Sequence, residues 1–69
     1  MTLGEKIRNY RISQGMTQSD LAIVVEKDIS TISKIETNSA NPSLQTLLQI
    51  AQALKVTVQD LITEYADNN

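Results

Sequence analysis

Apolar residues return along this chain at intervals of three and four, with polar residues between them, and runs of strict alternation are missing. That spacing is the mark of amphipathic helices, because 3.6 residues per turn brings positions i, i+3, i+4 and i+7 onto one face. Leu3, Ile7 and Tyr10 form the first stripe, with Glu5, Lys6 and Arg8 on other faces, and Gly15 stops that helix. A start signal follows at Thr17. Its hydroxyl can cap a helix, Asp20 three residues on can answer the cap's backbone N–H, and Met16 and Leu21 bracket the pair as an apolar staple. The same device recurs at Val56, Thr57, Asp60 and Leu61 and marks the last helix. Ser43, after the only proline, opens the helix between, with a predicted buried stripe of Leu44, Leu47, Leu48, Ala51 and Leu54.

The third helix is less well specified. Asp28 can serve as its N-cap, but Lys27 stands at the staple position and Thr31 where an acid would complete the capping box. Ile32 and Ile35 are its inward anchors, leaving Ser30, Thr31, Ser33, Lys34 and Thr37 to face outward. The prediction is therefore all-α, with five helices around one small core. Within it, Thr17 to Glu36 reads as two short helices held at an angle by a tight turn. That is the sequence form of a helix-turn-helix, whose second helix fits the major groove of DNA.

Composition narrows the classes. Sixty-nine residues make one small domain, near the size below which disulfides or metals usually stabilise a fold. Cysteine and histidine are both absent, which removes disulfides, thiolate and imidazole chemistry and nearly every zinc arrangement. Asp20 and Asp60 have a sufficient role as capping residues, and there is no paired nucleophile and base and no glycine-rich phosphate loop. An enzyme is thus the weakest class, and no cofactor or small-molecule ligand is expected. No apolar run approaches the length a bilayer needs, and the first residues lack the layout of a secretory signal, so a cytoplasmic protein is expected. Net charge is -2 and the pI about 4.8, against the basic footprint usual for a DNA-binding domain.

The segments IRNYR ahead of Gly15, MTQSDLA, STISKIE, NPSLQTLLQIAQAL and VTVQDLI stand in the order and spacing of a known family. From Leu3 to Ile62 the chain resembles the helix-turn-helix domain of the phage repressor, Cro and XRE family of bacterial regulators. The resemblance implies a compact five-helix, lambda-repressor-like domain over residues 1–66, followed by a short polar tail at 67–69. It also implies a sequence-specific transcriptional regulator whose partners are a double-stranded DNA operator and a second copy of itself.

By the same resemblance, Thr17 and Gln18 open the second helix beside the DNA backbone, where backbone N–H groups suit a phosphate. Ile29, Ser30, Lys34 and Thr37 occupy positions whose side chains, by that resemblance, point at base edges or nearby phosphates, and Asp28, Thr31 and Ser33 beside them belong to the same expected DNA-binding set. Lys34 can donate to guanine, Ser30 to several partners, and Ile29 can touch a thymine methyl. Asn38, Asn41 and Ser43 are placed for backbone contacts. Arg11 and Glu36 match a structural ion pair between the first and third helices. The dimer surface expected by analogy is the last helix, with Val58, Leu61, Ile62 and Tyr65 partly exposed.

Two departures from the family pattern stand out. Glu26 fills a turn position that is normally glycine, and Glu26 and Asp28 bring negative charge to the turn. With the low pI and Ile29, they support a competing expectation: a protein-interaction module of the same fold, antirepressor-like or antitoxin-like, with weak or lost DNA binding.

Overall fold

Local hydrogen bonds decide where the helices of this chain begin. The computed structural model describes residues 1–62, which form α1 (Leu3–Ser13), α2 (Gln18–Val24), α3 (Ile29–Glu36), α4 (Leu44–Ala53) and α5 (Val58–Ile62). At α2 the Asp20 N–H donates to Thr17 Oγ1 at 3.0 Å, and the Thr17 N–H donates back to the Asp20 carboxylate at 2.9 Å. The Thr57 and Asp60 pair repeats this at α5, at 3.0 and 2.9 Å. A third capping box, between Thr2 and Glu5, starts α1, and Ser43 Oγ accepts from the Thr46 N–H at α4. Asp28 holds the N-cap position of α3 but makes no side-chain capping bond. The under-specified helix of the sequence is thus also the one whose start is held by no side chain.

These boxes carry a pH dependence. Backbone N–H donation from Thr2, Thr17 and Thr57 holds the carboxyls of Glu5, Asp20 and Asp60 below their ordinary values of 4.5, 3.8 and 3.8. A depressed native value means that the unfolded chain binds protons first as pH falls. The contribution is complete above the ordinary value and is lost as pH drops through the native one. Urea midpoints should therefore fall below about pH 4, and Asp20→Asn should make that acid limb shallower.

Helix ends share a second device. After the C-caps of α1, α2, α3 and α4 come Gly15, Glu26, Asn38 and Lys55, all in the left-handed region at φ 72, 57, 65 and 60. Each is followed by the paired bonds of a Schellman motif. At α1 these run from the Met16 N–H to the Arg11 carbonyl and from the Gly15 N–H to the Ile12 carbonyl; at α2, from Lys27 to Ala22 and from Glu26 to Ile23. Only the first of the four uses glycine, which enters that region at no steric cost. Glu26 was expected to be left-handed, and it is. Glu26→Gly should stabilise by about 1 kcal/mol, read as a rise in melting temperature, and an unchanged or lowered value would show the turn to be unstrained.

Ile7, Leu21, Ala22, Val25, Ile32, Ile35, Ile50, Ala51, Leu54 and Leu61 form the buried core, with Leu3, Tyr10, Met16, Leu47 and Val56 packed against it. Ile32 and Ile35 are the inward anchors of α3, as its spacing predicted. The stripe predicted for α4 needs correcting. Leu44 and Leu48 are 69% and 48% exposed, while Ile50 is fully buried and Thr46 is buried with its hydroxyl 3.0 Å from that of Ser43. Leu47 and Ala51 complete an i, i+3, i+4, i+7 stripe equally well with Leu44 and Leu48 or with Ile50 and Leu54, and the fold turns the second set inward. Leu61 is likewise fully buried, so it leaves the apolar surface expected on α5, where Val58 is half-buried and Ile62 is 39% exposed. Tyr65 lies outside the described residues.

Candidate nucleic-acid interface

The frame of the site is a buried charge network. Glu36, the last residue of α3, has a side chain only 1% exposed, and its two oxygens accept from Arg11 Nε at 2.7 Å and Nη2 at 3.0 Å. The planar guanidinium and carboxylate meet fork to fork, as this pairing prefers. Those hydrogen bonds hold the Arg11 pKa above its already high ordinary value, so the group stays charged throughout the working range. Arg11 Nη1 donates further, to the Met16 carbonyl at 2.7 Å, and Gln18 Nε2 donates to Glu36 at 3.1 Å. One carboxylate thereby ties α1, the loop before α2, the first residue of α2 and the last of α3. The two helices are fixed at the ends remote from their connecting turn.

On this frame α3 presents its outer face. Ile29 is 49% exposed, Ser30, Lys34 and Thr37 are exposed, and Thr31 and Ser33 are half-buried. Thr37 Oγ1 donates to the Ser33 carbonyl at 2.9 Å and lies 3.1 Å from Ser39 Oγ, so it rigidifies its own turn. Thr17 and Ser43 are exposed at the starts of α2 and α4, with their hydroxyls engaged in capping, and Asn41 is exposed in the loop between α3 and α4. Gln18 is half-buried because its amide faces Glu36. Asn38 has both polar ends engaged: Oδ1 accepts from the Gly4 N–H at 3.2 Å, and Nδ2 donates to Thr2 Oγ1 at 2.8 Å. Glu26, Lys27 and Asp28 are all exposed. Two acids and two lysines thus cancel over the exposed turn and recognition helix.

The roles of Gln18, Asn38 and Gly4 within the frame were not visible from local spacing. Asn38 and its partners are 34 and 36 residues apart in sequence. Among the described residues no cluster of acidic, cysteine or histidine side chains could hold a metal ion, and no helix is long and apolar enough to cross a membrane.

Comparison with known proteins agrees with this geometry. A regulator of the helix-turn-helix type from Deinococcus deserti, DdrOP3, is 34% identical over 62 residues, 90% of this chain and 48% of that protein. The solved structure of SinR, a master regulator for biofilm formation, in complex with DNA superposes with a TM-score of 0.83 at 35% identity, over 88% of this chain and 98% of that one. The restriction-modification controller protein C.AhdI from Aeromonas hydrophila superposes with a TM-score of 0.84 at 30% identity, over 87% and 91%. The chain spans about half the length of the curated relatives it matches. The helix-turn-helix family model matches residues 7–61, from the first core residue of α1 to the last of α5. With its sequence and fold both of that kind, the chain belongs to the helix-turn-helix family, of the phage repressor, Cro and XRE type.

Proposed function

We propose that this chain is a sequence-specific DNA-binding transcriptional regulator that reads the major groove with α3. The observation that carries the reading is the outer face of α3. The side chains of Ser30 and Lys34 make no hydrogen bond among the described residues, yet the helix bearing them is held by the network of Arg11, Glu36 and Gln18. A fold with no use for that face has no need to fix it so firmly. Lys34 and Ser30 donate to base edges, Ile29 meets a thymine methyl, and Thr31 and Ser33 line the groove wall. Gln18, Thr17, Thr37, Asn41 and Ser43 lie along the backbone on either side. Asp28, exposed at the N-cap of α3, opposes binding wherever it nears a phosphate, because like charges repel. This reading calls for no catalysis and no cofactor.

Because the charges of the turn and recognition helix cancel, affinity rests on groove fit and hydrogen bonds more than on a broad positive field. One eight-residue helix also reads few bases. The regulator therefore works as a two-fold dimer on half-sites about one DNA turn, roughly 34 Å, apart. Relatives named as repressors and regulators, and SinR solved on DNA, support the reading.

The acidic balance and the turn acids Glu26 and Asp28 favour the second reading, a protein-binding module of this fold. SinR has also been solved in a complex with the SinI protein. Selection from a random duplex pool separates the two. The regulator enriches a palindromic motif and loses affinity steeply as salt rises. A protein-binding module enriches none.

A further inference from the structure

The first turn of α1 lies against the last turn of α3 so closely that a Cβ on Gly4 would stand 2.4 Å from the Ile35 carbonyl oxygen and 2.6 Å from that of Glu36. Helix α1 thus brings its N–H end to the carbonyl end of α3, a favourable meeting of opposite partial charges. The Asn38 carboxamide spans the junction, accepting from the Gly4 N–H and donating to the Thr2 hydroxyl. Thr2 is in turn locked to Glu5 by its capping box. Asn38 makes these bonds from a left-handed backbone at φ 65, directly after the C-cap of α3. A glycine would hold that backbone with less strain but has no carboxamide to offer.

We propose that Asn38 is a positioning residue for DNA binding, a clasp that fixes the exit of the recognition helix by holding α1, not by touching DNA. The proposal rests on the DNA-binding reading above. It departs from the backbone contact that family resemblance assigns to Asn38, and it makes Thr2, on the cap of α1, part of the machinery that sets affinity. The clasp acts on Ser39 to Ser43 as well, because this segment leaves α3 through Asn38 and carries Asn41 toward the backbone.

The test is a double-mutant cycle between Asn38→Gly and Thr2→Ala. The probe is a duplex that the wild-type protein has enriched from a random pool, and the temperature is one at which every variant is folded by circular dichroism. Each single variant should bind about three- to tenfold more weakly, the scale of one or two hydrogen bonds. The pair should bind no more weakly than the worse single variant, and Thr2→Ser, which keeps the hydroxyl, should bind like wild type. Amide exchange at Gly4 should accelerate in Asn38→Gly. Losses that simply add would mean that Asn38 meets DNA directly and would overturn the clasp, as would unchanged affinity in Asn38→Gly. A wild-type protein that enriches no duplex would instead overturn the DNA-binding reading itself.

Discussion

Replacing Arg11 alone with methionine should destabilise the domain by about 3–5 kcal/mol, because it strands the Glu36 carboxylate without its counter-charge in a site that is 1% exposed. A domain of this length has about 3–10 kcal/mol of stability in all, so the single variant should be largely unfolded at temperatures the wild type tolerates. Arg11→Met combined with Glu36→Leu removes both charges and fills the space with apolar groups, which in buried pairs is often neutral or stabilising. The double variant should therefore melt well above the single one. It should still bind its selected DNA more weakly than wild type, since Gln18 has lost its acceptor and the ends of α2 and α3 are no longer tied. Equal melting of the single and double variants would show that the pair does not hold the fold as described.

Gly4→Ala is the second large effect, and its sign distinguishes local from tertiary reasoning. Helix propensity alone predicts a gain of about 1 kcal/mol for this change inside α1. The close approach to α3 predicts the reverse. The new Cβ would sit 2.4 and 2.6 Å from two backbone carbonyl oxygens and 2.8 Å from Asn38 Oδ1, and backbone yields far less readily than the tip of a side chain. A loss of about 1–3 kcal/mol is expected, the usual range for overpacking. It should appear as a lowered urea midpoint together with faster exchange of the residue-4 amide, relative to its intrinsic rate as alanine, as its bond to Asn38 loosens. A midpoint at or above that of wild type would mean that α1 and α3 part easily there, and the clasp at Asn38 would lose its footing.

These residues also mark how far the sequence could be read. The starts of α2 and α5 were legible because a cap and its partner lie within three residues, that of α4 from Ser43 after the only proline, and Ile32 and Ile35 from periodicity. The capping box at Thr2 and Glu5 has the same local form. Two helix ends were hidden for a different reason: Asn38 and Lys55 carry the left-handed turn without glycine, and nothing in their identity announces it. On α4, two apolar stripes three residues out of step share Leu47 and Ala51, so spacing alone does not separate Leu44 and Leu48 from Ile50. In the site, the Arg11 and Glu36 pair came from family resemblance, whereas Gln18 as its third member and the joining of Gly4, Thr2 and Asn38 depend on contacts that only the folded chain brings together. The outward set on α3 was legible as a face.

The most direct measurement is an NMR titration of the 15N-labelled protein with a duplex selected from a random pool, following backbone amides at moderate salt. Shifts should concentrate at Thr17 and Gln18, from Asp28 through Thr37, and at Asn41 to Ser43, with smaller changes at Thr2 and Gly4 carried through the clasp. The exposed apolar positions Leu44 and Leu48 of α4 should stay largely unmoved. A titration in which α3 is silent while another face shifts, or in which no selected duplex perturbs any amide, would contradict the claim that this helix reads DNA.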